Sequence, residues 1–187
     1  MRIDDIRLLY AYNVWANARI LDAAARAPAE LFSTAALGDC NLRDTLEHLL
    51  VSESIWRLRW QNIAPESIPF PEEFPTLAAL RARWHEEDQR LADFLAALDD
   101  AALDRDVTYQ RSNGAVDSRP LWQQMAHMVN HSTQHRSEVA LLLTALGYSP
   151  GALDLIVFVR EHNGVHGGEP YDLHSGLPVI RRRTQLG

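Results

Sequence analysis

Along most of this chain apolar residues return every three to four positions, the repeat of a helix that buries one face and wets the other. Residues 4–27 (DDIRLLYAYNVWANARILDAAARA) are rich in good helix formers, open on Asp4 and Asp5 and stop before Pro28. They predict a first helix whose stripe runs through Leu9, Asn13, Ala16, Ile20 and Ala24. Asn13 and Asn17 fall on or beside that inward stripe, where carboxamides bond backbone or water. A second helix is predicted over 42–63, with Asn41 as its N-cap. One side of it carries Arg43, Glu47, Ser54 and Gln61. The opposite side carries Thr45, Leu49, Ser52 and Trp56, with His48 on the flank, and reads as the core-facing wall of a partly polar cavity. Thr76 caps a third helix over 77–98 with Leu77, Leu80, Trp84, Leu91 and Leu95 near one face. His85 stands in the charged run HEED and reads as a surface residue.

The helical repeat breaks in two places. The Pro-rich run PESIPFPEEFP (65–75) is too short and too apolar for a domain linker. Over 104–119, Val107-Thr108-Tyr109 and Ala115-Val116 flank Asn113-Gly114, which predicts a small β-hairpin or an extended loop. Pro120 then suits the first turn of a long helix over 119–146 that stops before Gly147. The segment GALDLIVFVRE (151–161) predicts a short further helix, although its β-branched residues permit a strand. From about 162 to 187 the glycines and prolines predict an irregular tail. Four principal helices with no internal repeat make a single all-α bundle domain over 1–187.

Composition narrows the function. The 187 residues are 47% apolar and 23% charged, with a net charge of −7. No basic footprint for a nucleic-acid backbone is present outside Arg181, Arg182 and Arg183, which read as a solvated tail. No stretch approaches the roughly 20 apolar residues that span a bilayer, and the acidic N-terminus is unlike a signal peptide. Cys40 is the single cysteine, which excludes an internal disulfide or a Cys-rich zinc site and reads as an idle thiol. A protein of a reducing cytoplasm, with neither nucleic acid nor membrane as partner, is expected.

The histidines carry the candidate chemistry. In HMVNHSTQHR, His127, His131 and His135 stand four apart. Neighbours at that spacing lie about 40° apart on a helix and stack on one face. Two imidazoles so placed can converge on one ion, whereas three spread over about 80° and cannot all do so. Leu121, Met128, Val139, Leu142 and Leu146 mark the inward face, with His131 and His135 on or beside it and His127 displaced to the edge. Buried imidazoles need partners. A metal ion would supply them, and so would hydrogen bonds to neighbouring side chains or water, and spacing leaves both open. A third ligand must come from another helix, and His48 is the best placed. Glu138 shares the face of the pair and is a candidate fourth ligand, general base or acceptor for an imidazole N–H. Arg136 reads as pointing away from the core into an ion pair. His162 and His166 read as part of an exposed tail rather than a second site, and His174 carries no signal.

The segments YNVWANARIL (12–21), LEHLLVSESIW (46–56), HMVNHSTQHR (127–136) and ALGYSPGALDLIVFVRE (145–161) resemble, in order, the DinB/YfiT-like family of metal-binding bacterial proteins. The resemblance implies a four-helix bundle in up-down-down-up order, a homodimer, and a metal site formed by His48, His131 and His135. Ser137-Glu138 stands where the family often has Gly-Gln, which places a carboxylate near that site. Three imidazoles leave coordination positions open, the catalytic rather than the structural pattern. Zinc or nickel is the expected metal, with iron possible. The functions implied are a metal-dependent transferase or isomerase using a low-molecular-weight thiol, a metal-dependent hydrolase, or a non-catalytic stress-response module. Asn13, Asn17, Glu138 and His127 are expected to line the pocket or support the ligands.

Overall fold

The computed structural model describes residues 1–38, 40–63, 74–111 and 114–162, together with the backbone of 171–172 and 177–178. Three of the seven described helices begin where a side chain accepts from one of their free N–H groups. Helix α1 (Ile3–Ala25) starts with the Asp5 carboxylate accepting from the Arg2 N–H at 2.9 Å. The one-turn α2 (Leu31–Thr34) follows, then two short strands, β1 (Ala36–Leu37) and β2 (Cys40–Asn41), paired antiparallel. Asn41 caps α3 (Leu42–Trp60) by accepting from the Asp44 N–H at 3.2 Å. Thr76 caps α4 (Leu77–Ala96) through the Ala79 N–H at 3.2 Å. Next come α5 (Asp100–Leu103) and the antiparallel hairpin of β3 (Asp106–Gln110) and β4 (Val116–Pro120). The longest helix, α6 (Leu121–Ala145), is followed by α7 (Leu155–Glu161) and a last antiparallel pair, β5 (Tyr171–Asp172) and β6 (Leu177–Pro178).

The fold is therefore mostly helical, as the periodicity predicts. Helices α3 and α4 end three and two residues earlier than expected, and the expected hairpin is present with Val107 opposite Arg119. Gly114 takes φ +83°, a conformation that costs glycine nothing, while its predicted turn partner Asn113 lies outside the described residues. Gln124 ties the hairpin to α6 by donating to the carbonyls of Val107 and Arg119 at 2.7 and 2.9 Å. The 151–161 segment is a helix from Leu155 onward. Most of 65–75, and His166, His174 and Arg181–Arg183, lie outside the described residues. No helix among the described residues is long and apolar enough to cross a membrane.

α1 packs against α4 and α6, and α3 packs against the same two helices. Two apolar clusters fill the space between them. One gathers Ile6, Tyr10 and Trp15 of α1, Trp60 of α3, Leu91 and Leu95 of α4, and Met125 and Met128 of α6. The other gathers Ile20 and Leu21 of α1, Leu46 and Leu50 of α3, Leu80 and Trp84 of α4, and Val139 and Leu142 of α6. Between these positions on all four helices lie buried polar groups: Asn13 and Asn17, Glu53 and Arg57, Glu87, and Ser132 and Arg136. The interior is thus two apolar blocks separated by a polar layer.

This layer corrects three sequence expectations. Glu47 and Ser54, assigned to the wet side of the second helix, are buried at 4% and 5% exposure beside Leu46, Leu50 and Glu53. Arg136, assigned to the outside, is 2% exposed, and Leu146, assigned to the inside, is 37% exposed. Asn13 and Asn17 are inside as expected, but their partners are Glu53 and Arg136. Arg136 goes inward because α1 supplies its partners, the carboxamides of Asn13 and Asn17. Arg57 shows the principle, gripping Glu87 through both Nε–Oε1 and Nη2–Oε2, the latter at 3.0 Å.

Asp88 adds an acid to the same region. Burial pushes its carboxyl up to about 8, with the nearby Glu53 and Glu87 charges adding to the effect. An acid whose folded pKa lies above its unfolded value holds its proton in the folded chain while the unfolded chain has released it. Its contribution to stability therefore falls as pH rises from about 3.8 to about 8. Asp88→Asn is expected to flatten that part of the stability profile, measured by denaturant unfolding across the same pH window. Parallel profiles for the two proteins would show that the carboxyl ionises freely.

Candidate metal centre

α3 and α6 lie side by side, and the flank they share carries His48, His131 and His135. On α6 the spacing of four stacks His131 and His135 with ring centroids 4.6 Å apart. Across the helix pair, the His48 ring lies 5.1 Å from that of His131 and 4.7 Å from that of His135. Each ring offers a nitrogen within 4.8 Å of the others. The closest approach is His48 Nε2 to His131 Nε2 at 3.2 Å. Two imidazole nitrogens that close share either a proton or a cation. The separation matches the roughly 3.3 Å expected between two nitrogens bound tetrahedrally at zinc-like bond lengths. The three-histidine group can hold a metal ion.

Burial and charge prepare the rings for that role. His131 and His135 are half-buried at the edge of the α6 core face, not on its centre line, while His48 is exposed. Partial burial pulls the His131 imidazole down to about 4, aided by the neighbouring rings of His135, His48 and His127 and opposed by Glu138. Burial, and then His135, lower His48 as well, again against Glu138. Neutral imidazoles keep the lone pairs that a cation requires. The Nδ1 of His131 is buried without a hydrogen-bond partner, the kind of orphaned group that calls for an explanation. His135 Nδ1 faces Glu138 Oε2 at 2.8 Å, which leaves its Nε2 free. A carboxylate on the far nitrogen of an imidazole fixes its tautomer and raises its basicity.

His127 stands apart from the group, as the helical wheel predicts. It is exposed, its ring lies 5.9 Å from His131, and its closest aromatic neighbour is Trp56 at 5.4 Å. Asn13 and Asn17 do not reach the histidines either. They face the interior, where Glu53 and Arg136 occupy them. His162, expected in an exposed tail, is 7% exposed and directs Nδ1 at the Phe158 carbonyl, 2.7 Å away, at the end of α7.

A cavity of about 550 Å³ opens beside the histidines, lined by Leu37, Cys40, Asp44, Thr45, His48, His135, Glu138 and Leu141. That volume is within the range of small-molecule sites. Several of these residues carry no sequence signal for it. Leu37 and Cys40 arrive through the β1–β2 turn, where Gly38 adopts φ +59°. The Cys40 thiol lies 3.5 Å from Thr45 Oγ1 on the cavity wall.

A sequence model of the DinB family matches residues 3–165. The chain belongs to the DinB family. A curated relative, Protein DinB of Bacillus subtilis (strain 168), is 22% identical over 152 residues, covering 78% of this chain and 88% of that protein. The DinB family match spans all three clustered histidines and every residue lining the cavity.

In this DinB-family chain, proton NMR of the metal-free protein is expected to show the His131 ring titrating with a midpoint at about 4. A midpoint near the ordinary 6.5 would place that ring in open water instead.

Proposed function

We propose that this DinB-family chain is a metal-dependent enzyme that holds one divalent transition metal on His48, His131 and His135. The observation that carries this reading is the convergence of three imidazoles from two helices, with the 3.2 Å approach of His48 and His131 and an orphaned His131 nitrogen. An all-imidazole donor set suits zinc, nickel, iron or copper alike, and zinc or nickel is preferred on the family resemblance, with iron next. When bound, such an ion supplies Lewis acidity and lowers the pKa of a thiol or water placed beside it. Three protein ligands leave room for that second group, and the cavity at His48 and His135 gives it a place to enter.

The substrate we propose is a small molecule carrying a thiol, with transfer of that thiol to an electrophile as the reaction. Glu138 supports His135 and stands at the cavity wall, where it can accept a proton. The same carboxylate favours a second reading, hydrolysis with Glu138 as base. A non-catalytic metal-binding module remains the outcome if no turnover is found.

Around this site we propose a single-domain, up-down-down-up four-helix bundle, supported by the order of its two apolar clusters. α1 and α6 run from the Tyr10–Met128 cluster to the Ile20–Val139 cluster, and α3 and α4 run the other way. A homodimer in the cytoplasm completes the proposal.

Metal analysis of tag-free protein is expected to give about one ion per chain, a three-ligand site holding a single ion. His48→Ala, His131→Ala and His135→Ala should each lose it, and His127→Ala should keep it. Glu138→Ala is expected to weaken binding by about 10–100-fold, the usual effect of removing the partner of a ligating histidine. Full retention of metal in His131→Ala and His135→Ala would remove the assignment. For the reaction, the metal-loaded protein should consume an electrophile such as an epoxide or alkyl halide only when a low-molecular-weight thiol is present. Turnover of esters or amides without thiol would favour hydrolysis.

A further inference from the structure

Adjacent residues on a helix point about 100° apart, so a side chain next to a ligand faces a different environment from the ligand itself. On α6 this has a specific result. Ser132 follows His131, and Arg136 follows His135, and both point into the bundle with 0% and 2% exposure. On α3, Glu53 lies just over one turn past His48 and is 3% exposed. These three residues meet in one hydrogen-bonded network.

Its centre is a single oxygen. Glu53 Oε1 accepts from Asn13 Nδ2 at 2.6 Å, from Asn17 Nδ2 at 3.2 Å and from Ser132 Oγ at 3.3 Å. The two carboxamides then turn their Oδ1 atoms to the Arg136 guanidinium, whose Nη1 donates to both, to Asn17 at 2.9 Å. Arg136 Nη2 donates to Thr133 Oγ1 at 3.0 Å, and the guanidinium lies over the Tyr12 ring at 5.3 Å. A buried carboxyl and a buried guanidinium are thus joined through two asparagines of α1, and the chain of bonds runs from α3 through α1 to α6.

The network fixes rotation and spacing. A turn of α6 that swung His131 and His135 away from α3 would pull Ser132 off Glu53 and Arg136 off both asparagines. An outward shift of α3 that carried His48 away would break the Glu53 bonds to α1 and α6. A metal site tolerates about 0.5 Å of misplacement before its geometry is lost. Apolar packing is compatible with several rotations, whereas hydrogen bonds of this kind are directional.

We propose that Glu53 is a positioning residue for the histidine site, holding His48 at its distance from His131 and His135 through Asn13, Asn17, Ser132 and Arg136. This rests on the metal-binding reading given above. Cobalt(II) alone is the probe, because its visible d–d bands report ligand geometry separately from how much protein is folded. Glu53→Leu removes the acceptor and is expected to shift the bands and weaken cobalt binding by about 10-fold or more, the scale seen when the support of a ligating histidine is lost. Glu53→Gln keeps an acceptor oxygen and should restore both spectrum and affinity. Ser54→Ala, a change at an equally buried neighbour on α3, should match the wild type.

A folded Glu53→Leu protein with wild-type bands and affinity overturns the proposal. If Glu53→Leu does not fold, Ser132→Ala and Asn17→Ala decide it. Shifted bands in those variants support positioning, and unchanged bands and affinity overturn it. The two readings fail differently. Wild-type protein that takes up no cobalt, or His131→Ala that keeps it, overturns the metal reading and this inference with it. Loss of cobalt in His131→Ala together with wild-type behaviour in the Glu53 and Ser132 variants overturns positioning alone.

Discussion

A carboxylate taken out of water must be met by donors, and in this bundle Glu53 is met by three of them on one oxygen. The donors come from α1 and α6, so the bonds that make burial tolerable also tie three helices together. Burial pushes the Glu53 carboxyl above its ordinary range, and the hydrogen bond from Asn13 and the charge of Arg136 pull it back. The apolar clusters on either side supply the non-directional part of the stability. Sliding α1, α3 or α6 by a turn would separate Glu53 or Arg136 from the asparagines, and sliding α4 would separate Glu87 from Arg57, leaving a buried polar or charged group without its partner, a strongly destabilising change. The polar layer therefore selects one register from those that apolar packing alone would accept.

The histidine group depends on that register. Its rings come from two helices, and their separation is an interhelical distance that neither helix sets by itself. His131 and His135 need only the turn of α6 to face the same way. His48 needs α3 to stand at the right height and angle. The electrostatics work in the same direction, since crowding and partial burial hold His131 and His48 below the ordinary imidazole range.

What was legible in the sequence follows the line between local and tertiary forces. Helix starts at Asn41 and Thr76 could be read because a cap acts within three residues. The pairing of His131 with His135, and the exclusion of His127, could be read because both follow from the pitch of one helix. His48 could be picked as the third ligand because it flanks the core-facing, partly polar side of its wheel, and the family resemblance points to the same residue. The inward faces were harder. Wheel reading treats polar as wet, and that rule failed at Glu47, Ser54 and Arg136, which are buried. The partners of Asn13 lie 40 and 123 residues away, at distances where no pattern in one helix can announce them. Leu37 and Cys40 were missed for a related reason, because the turn that brings them to the cavity is placed by packing rather than by spacing.

The position of the three imidazoles has a consequence for how occupancy and folding relate. Among the described residues, only α3 and α6 contribute rings, and they do so from a flank, with His48 exposed and the apolar clusters elsewhere. Among the described residues, the cavity beside the rings is lined from α3, α6 and the β1–β2 turn, with none from α1 or α4. A cation on these nitrogens can therefore arrive and leave without the bundle opening, so its exchange is governed by its own coordination chemistry and not by breathing of the core. Zinc fingers lie at the other limit, where the ion is the core and removing it unfolds the chain. In this bundle the apolar clusters do not include the three rings, so an ion held there would add stability by the mass-action increment of binding to the folded state.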